Sequence, residues 1–211
     1  MAGQRVDGER VRDALARQWR NIARAVPSRD LDVASRVDGW RNREVVAHLA
    51  MQPVLLVRFL ATASSEPPTL RVADNLAGTR RLAELVDAAT RDAAANGRLD
   101  LAGAAETAIE RLAAADLTTT ITTLQGPILL RDYLVTRCVE AVVHGADLVD
   151  PVEPDRDALA IVAGALTTLL AARDPNLVAV ATALPRTTWV AIATGRERAP
   201  EPLRAVVPLM S

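Results

Sequence analysis

Apolar residues recur at helical spacing along most of the chain. Val11, Leu15, Trp19, Ile22 and Val26 repeat every three or four positions, with Arg10, Arg17, Arg20 and Arg24 between them. That pattern predicts a helix over about 8–26 with one buried face. Glu9 and Asp13 are interleaved with the arginines, so the basic side reads as a solvated face rather than a phosphate-binding one. A loop through Pro27 to Asp38-Gly39-Trp40 leads to a second helix from about 41, carrying Val45, Val46, Leu49, Leu56, Phe59 and Leu60. Pro53 lies inside it and is expected to kink it, because its ring meets the carbonyl of Leu49. Ser64-Ser65-Glu66-Pro67-Pro68 is a break.

A third helix is expected over 71–95, stopped by Asn96-Gly97, and a fourth over 102–115. The threonine-rich run 117–124 has β-branched character and reads as extended. After Gly126-Pro127 a long helix is expected over 128–149, ended by Pro151 and Pro154, and a last apolar helix over 155–173. In the tail, Asp174-Pro175-Asn176 breaks the pattern and the run 187–194 reads as a short strand closed by Gly195. The expected fold class is therefore mainly α, a helical bundle over 1–173 with a short mixed tail over 174–211 that packs on it.

Composition supports that class. The chain has 211 residues, half of them apolar, but only one Phe, one Tyr and three Trp, so its core must come from Ala, Leu and Val. A net charge of −1 calls for no nucleic-acid partner. Lysine is absent, which removes Schiff-base chemistry and the Gly-Lys-Ser/Thr phosphate loop. The single Cys138 excludes an internal disulfide and any multi-cysteine metal site. The opening stretch Met-Ala-Gly-Gln-Arg-Val-Asp is too polar for a secretory signal. The longest apolar run, 158–172, has 15 residues including two Thr, short of the roughly 18 a membrane span needs. A cytoplasmic protein without a membrane partner is expected.

Only two histidines occur, His48 on the second helix and His144 on the long helix, where Glu140 lies four positions before it. Side chains at i and i+4 share a helix face, so Glu140 and His144 can reach one ion, with His48 supplied from the other helix. Two imidazoles and a carboxylate form a three-ligand set with an open position, the arrangement of catalytic zinc sites. Spacing alone leaves two placements open. Tyr133, Arg137, Glu140, His144 and Asp147 form one polar stripe, and Arg41, Glu44, His48 and Gln52 form another. Such stripes either face solvent or face each other across a buried seam. Cys138 stands two residues before Glu140 and so points away from it, into the core.

Trp40 with His48-Leu49, followed far along the chain by Arg137, Glu140, His144 and Asp147-Leu148, resembles the DinB-like superfamily. Within it the chain is most similar to the mycothiol-dependent maleylpyruvate isomerase and mycothiol S-transferase family of actinobacteria. The resemblance covers about 8–173. It implies a four-helix-bundle core, a zinc-like ion on His48, Glu140 and His144, and a low-molecular-weight thiol of the mycothiol type that is activated on the ion. A two-histidine, one-carboxylate set also suits iron(II). Asp147 is placed to orient His144, and Glu44 to orient His48. Tyr133 and Arg137 are candidates to meet an anionic small-molecule electrophile. Fuller members of the family append a small mixed domain that helps form the cleft. Here only the tail stands in its place, so no substrate residue is carried over from that region.

The leading expectation is a metal- and thiol-dependent transferase or cis–trans isomerase, monomeric or homodimeric. A non-catalytic metal-binding module and a metal-assisted hydrolase use the same three ligands. An enzyme predicts an open position beside a pocket; a structural module predicts a closed shell.

Overall fold

A computed structural model describes residues 7–210. The polar stretch 1–6, read above as no secretory signal, lies outside the described residues. The first helix, α1 (Gly8–Ala25), starts at Asp7, whose carboxylate accepts from the backbone N–H groups of Glu9 and Arg10. It is followed by α2 (Asn42–Leu60), which runs through Pro53 without interruption. The segment expected as one helix over 71–95 is instead two, α3 (Val72–Gly78) and α4 (Ala83–Ala95), joined by a tight turn of 3₁₀ helix. The break has a packing cause: α3 lies against the long helix that follows the hairpin while α4 lies against α2. A single straight rod cannot do both.

Helix α5 (Leu101–Ala113) leads into a hairpin of β1 (Thr120–Thr123) and β2 (Gly126–Leu129), paired antiparallel with Leu124 and Gln125 at its tip. The extended reading of 117–124 holds for β1. The helix expected from 128 begins later, as α6 (Leu130–Asp147), because Pro127 to Leu129 are held in the ladder and Leu130 N–H reaches Thr119 O. Ser64 pairs with the outer edge of β1, and Leu70 bridges to Ile128 on β2, so the loop after α2 straps the hairpin down. Next comes α7 (Arg156–Arg173), capped by Asp155.

The tail corrects the sequence reading. The run expected as a strand over 187–194 is helical: α8 (Val178–Thr182) and α9 (Arg186–Ala193) fill this region, and no strand occurs there. The β-branched residues lose to tertiary context. With no strand to pair, an extended segment would leave its backbone unsatisfied. As a helix it buries Trp189, Val190, Ile192 and Ala193 on one side, and Trp189 Nε1 donates to Thr167 Oγ1 on α7 at 3.0 Å.

The architecture is mainly helical. α2 packs against α5, α5 against α1, α1 against α6 and α6 against α2, closing a four-helix bundle; α7 covers α1 and α6, and α9 covers α7. Leu15, Trp19, Val45, Leu49, Leu56, Leu112, Leu134 and Val139 fill the interior. The outward arginines of α1 knit its neighbours: Arg17 to Asp155 and Asp157, Arg20 to Glu106. No helix among the described residues is long and apolar enough to cross a membrane.

Candidate metal centre

His48 and Gln52 of one stripe face Arg137, Glu140 and His144 of the other across the α2–α6 seam, while Arg41 at the start of α2 is exposed to water. His48 is 5 % exposed, Gln52 4 %, Arg137 8 % and Glu140 9 %, values that belong to a buried site. One ligand atom each of His48, Glu140 and His144 lies within 4.8 Å of the others. His48 Nε2 is 2.9 Å from Glu140 Oε2, and His144 Nε2 is 3.4 Å from the same oxygen. Helical periodicity explains the pairing on α6, since Glu140 and His144 are one turn apart. The approach of α2 supplies the second imidazole.

The surroundings set the state of each group. His144 Nδ1 meets Asp147 Oδ2 at 2.9 Å, which turns Nε2 toward Glu140. Asp147 is fully buried and is also held by both Nε and Nη2 of Arg196, from the segment after α9, at 3.0 and 2.8 Å. Burial alone would raise the Asp147 carboxyl, but His144 and Arg196 outweigh it and bring it down to about 2. Burial lowers His144, yet Asp147 and Glu140 outweigh it, so its imidazole is raised to about 9. Glu140 is held well below the usual carboxylate range: burial opposes ionisation, and the hydrogen bonds of His144 and His48 overcome it. His48 is pushed down, chiefly by burial. The indole of Trp40 backs both imidazoles, with ring centroids 5.6 Å from His48 and 6.3 Å from His144, and its Nε1 donates to Asp87 Oδ1.

This donor set fits a divalent ion. A buried carboxylate is either paired with a cationic side chain or coordinates a metal ion. Around His48 there is also a specific conflict. Gln52 Nε2 lies 3.0 Å from His48 Nε2, the same nitrogen that faces Glu140 Oε2. As an N–H that nitrogen satisfies Glu140 and opposes the amide N–H; as a lone pair it satisfies the amide and opposes the carboxylate. A cation shared by His48 Nε2 and Glu140 Oε2 removes the clash between imidazole lone pair and carboxylate. His48 Nδ1 is buried without a hydrogen-bond partner among the described residues.

Of the other residues singled out from sequence, Asp147 meets His144 directly. Glu44 does not meet His48: its carboxylate accepts from the backbone N–H of Arg41 at 2.7 Å and closes the first turn of α2. That is a correction with a simple cause, because Glu44 stands at the third position of the helix, where a carboxylate reaches back to the cap. Tyr133 and Arg137 line the same cleft as the ligands, with the guanidinium 4.6 Å over the Tyr133 ring. Cys138 points away as expected; it is buried against α1 and its thiol is pushed far up by burial. Sequence reasoning did not find the role of Arg196 or of Asp87. Neither has a local signature, since each reaches the site only through the packing of a distant segment.

The centre forms one wall of a cleft of about 390 Å³, lined on its apolar side by Leu55, Phe59, Val86 and Val143 and at its rim by Leu124 of the hairpin tip. It is open enough for a small molecule to reach the three ligands.

The sequence pattern of the family described as "Mycothiol maleylpyruvate isomerase N-terminal domain" matches residues 12–149. That stretch contains all three candidate ligands, α2, α5 and α6 whole, and α1 apart from its first turn. No curated protein and no solved structure gives a significant match to the chain.

Proposed function

Because the chain belongs to the mycothiol maleylpyruvate isomerase N-terminal domain family, we propose that it binds one divalent ion, zinc foremost, on His48, Glu140 and His144 and uses a mycothiol-like thiol. The reaction proposed is transfer of that thiol to a small electrophile or cis–trans isomerisation of it. The observation that carries this reading is the convergence of two imidazoles and one carboxylate on the wall of an accessible cleft. A closed structural site would bury its ligands without such a cleft.

When bound, the ion supplies Lewis acidity that holds a coordinated thiol as the nucleophilic thiolate near neutral pH. The remaining work falls to the chain. His48 and His144 present Nε2 lone pairs, and Glu140 brings one negative charge to offset the ion. Asp147 and Arg196 hold the His144 ring in one orientation and tautomer. Leu55, Phe59, Val86 and Val143 exclude water from one side of the cleft. Tyr133 and Arg137 are the groups proposed to meet the electrophile, Arg137 through its cationic face on the cleft.

We further propose that residues 1–173 form the metal-binding unit, with 174–211 as a segment that packs on it and supplies Arg196, and that the protein is cytoplasmic. Metal analysis of purified protein tests the first step; about one ion per chain is the expected result. Titration of the cobalt(II) form with mycothiol then reads thiol binding through sulfur-to-metal charge-transfer absorption, alongside thiol-transfer and maleylpyruvate isomerisation assays. An ion content near zero overturns the reading.

A further inference from the structure

A glutamine stands close enough to the three ligands to become a fourth. Gln52 lies one turn after His48 on α2, is 4 % exposed, and has its amide 3.0 Å from His48 Nε2. An amide oxygen is a competent ligand for a divalent ion, and a tetrahedral ion on two histidines and one carboxylate is one ligand short. Which end of the amide faces the centre therefore decides whether a position stays open.

Arg137 decides it. A guanidinium has five donors and no acceptor, so the amide atom it contacts must be the oxygen. Arg137 Nη1 donates to Gln52 Oε1, which leaves Gln52 Nε2 toward His48. Arg137 is itself fixed: Nε and Nη2 both lie 3.3 Å from Thr136 Oγ1, and the guanidinium rests on the Tyr133 ring. The side chain is 8 % exposed, so water offers little alternative to these partners.

We propose that the Arg137–Gln52 pair is a clamp that keeps the coordination shell open, by holding the Gln52 oxygen away from the ion and presenting an N–H in its place. The inference rests on the metal-binding reading above and adds to it the reason why a coordination position is left for an outside ligand. An N–H cannot coordinate, but it can donate to an anionic ligand on the ion, so the same clamp favours a bound thiolate. Both members act as positioning residues.

The test uses the full chain loaded with cobalt(II) and the neutral probe 2-mercaptoethanol, read by charge-transfer absorption and by the cobalt d–d bands. Gln52→Glu replaces one N–H by oxygen at the same point while giving Arg137 a charge partner. It is expected to close the shell: changed d–d bands, tighter cobalt, and thiol affinity reduced about tenfold or more. Arg137→Met frees the amide to turn and is expected to act in the same direction. Combining Arg137→Met with Gln52→Leu removes the competing oxygen, and thiol affinity should rise again from that of Arg137→Met, short of the unaltered protein only by what the lost amide N–H contributed. Thermal melts establish that each variant is folded; if Arg137→Met is not, Gln52→Glu alone decides. Thiol binding by Gln52→Glu equal to that of the unaltered protein overturns the clamp, as does a folded Arg137→Met whose double variant shows no recovery. Should the unaltered chain hold no cobalt, the metal reading falls and takes the clamp with it. If it holds cobalt and the variants bind thiol alike, only the clamp falls.

Discussion

His144 owes its orientation to a chain of contacts that begins outside the bundle at the exposed Arg196 and passes through the buried Asp147. Arg196 fixes Asp147, and Asp147 fixes the imidazole. Removing an outer partner of a metal-ligating histidine typically costs 10- to 100-fold in affinity. Arg196→Ala is therefore expected to weaken zinc binding by about tenfold or more, measured by competition with a chromophoric chelator. His48→Ala and His144→Ala should each abolish tight binding. Unchanged affinity in either would remove that residue from the site. Glu140→Gln should keep the fold and weaken the ion, since a neutral amide offsets none of its charge. At this scale the sequence marked Glu140 and His144 as neighbours, because an i, i+4 pair is a local pattern, and the family resemblance joined His48 to them. Gln52, Asp87 and Arg196 were not, because their partners are set by how elements approach.

Among the elements, α7 shows how a cap and an ion pair share one carboxylate. Asp155 accepts from the N–H groups of Asp157 and Ala158 and pairs with Arg17. Burial works against its ionised form, but Arg17 and the cap N–H groups hold its carboxyl below the ordinary value. A depressed carboxyl contributes stability that is present above its unfolded value, about 3.9, and is lost as pH falls through the lower folded value. Asp155→Ala should cost about 1 kcal/mol in urea unfolding at neutral pH. The difference from the unaltered protein should begin to shrink below about pH 4 and vanish as pH falls through the lower folded value, where the carboxylate is protonated. In α9, Trp189 is 2 % exposed and packed on α7, so Trp189→Ala should cost about 3–5 kcal/mol. A tail attached only loosely would lose far less.

Across the whole molecule, an ion on the proposed ligands would stabilise the bundle that holds them. The three ligands come from α2 and α6, which also bury Val45, Leu49, Leu134 and Val139 in the common core. A ligand that binds only the folded chain stabilises it by about 2.7 kcal/mol at a hundredfold excess over its Kd. Added zinc should therefore raise the melting temperature of the chelator-treated protein, and the same addition to His48→Ala should leave it unchanged. A zinc shift of equal size in His48→Ala would place the ion elsewhere.

The sequence by itself determined a helical bundle, the positions of its main helices to within a few residues, the start of the extended hairpin, and the three side chains able to share an ion. The elements rest on periodicity within one or two turns, whereas joining His48 to Glu140 and His144 rested on the family resemblance, since spacing alone left the facing of the two helices open. Tertiary structure alone decided that His48 and Gln52 meet Glu140, Arg137 and His144 inside while Arg41 stays in water, because a stripe looks the same from its own helix whether water or another helix lies opposite. It split 71–95 into α3 and α4, whose two halves pack on different partners. It made a helix of the β-rich run 187–194, where no strand was present to pair with it and α7 offered an apolar face. It also turned Glu44 back onto its own helix cap and brought Arg196 to Asp147, contacts fixed by which surfaces meet in the folded chain.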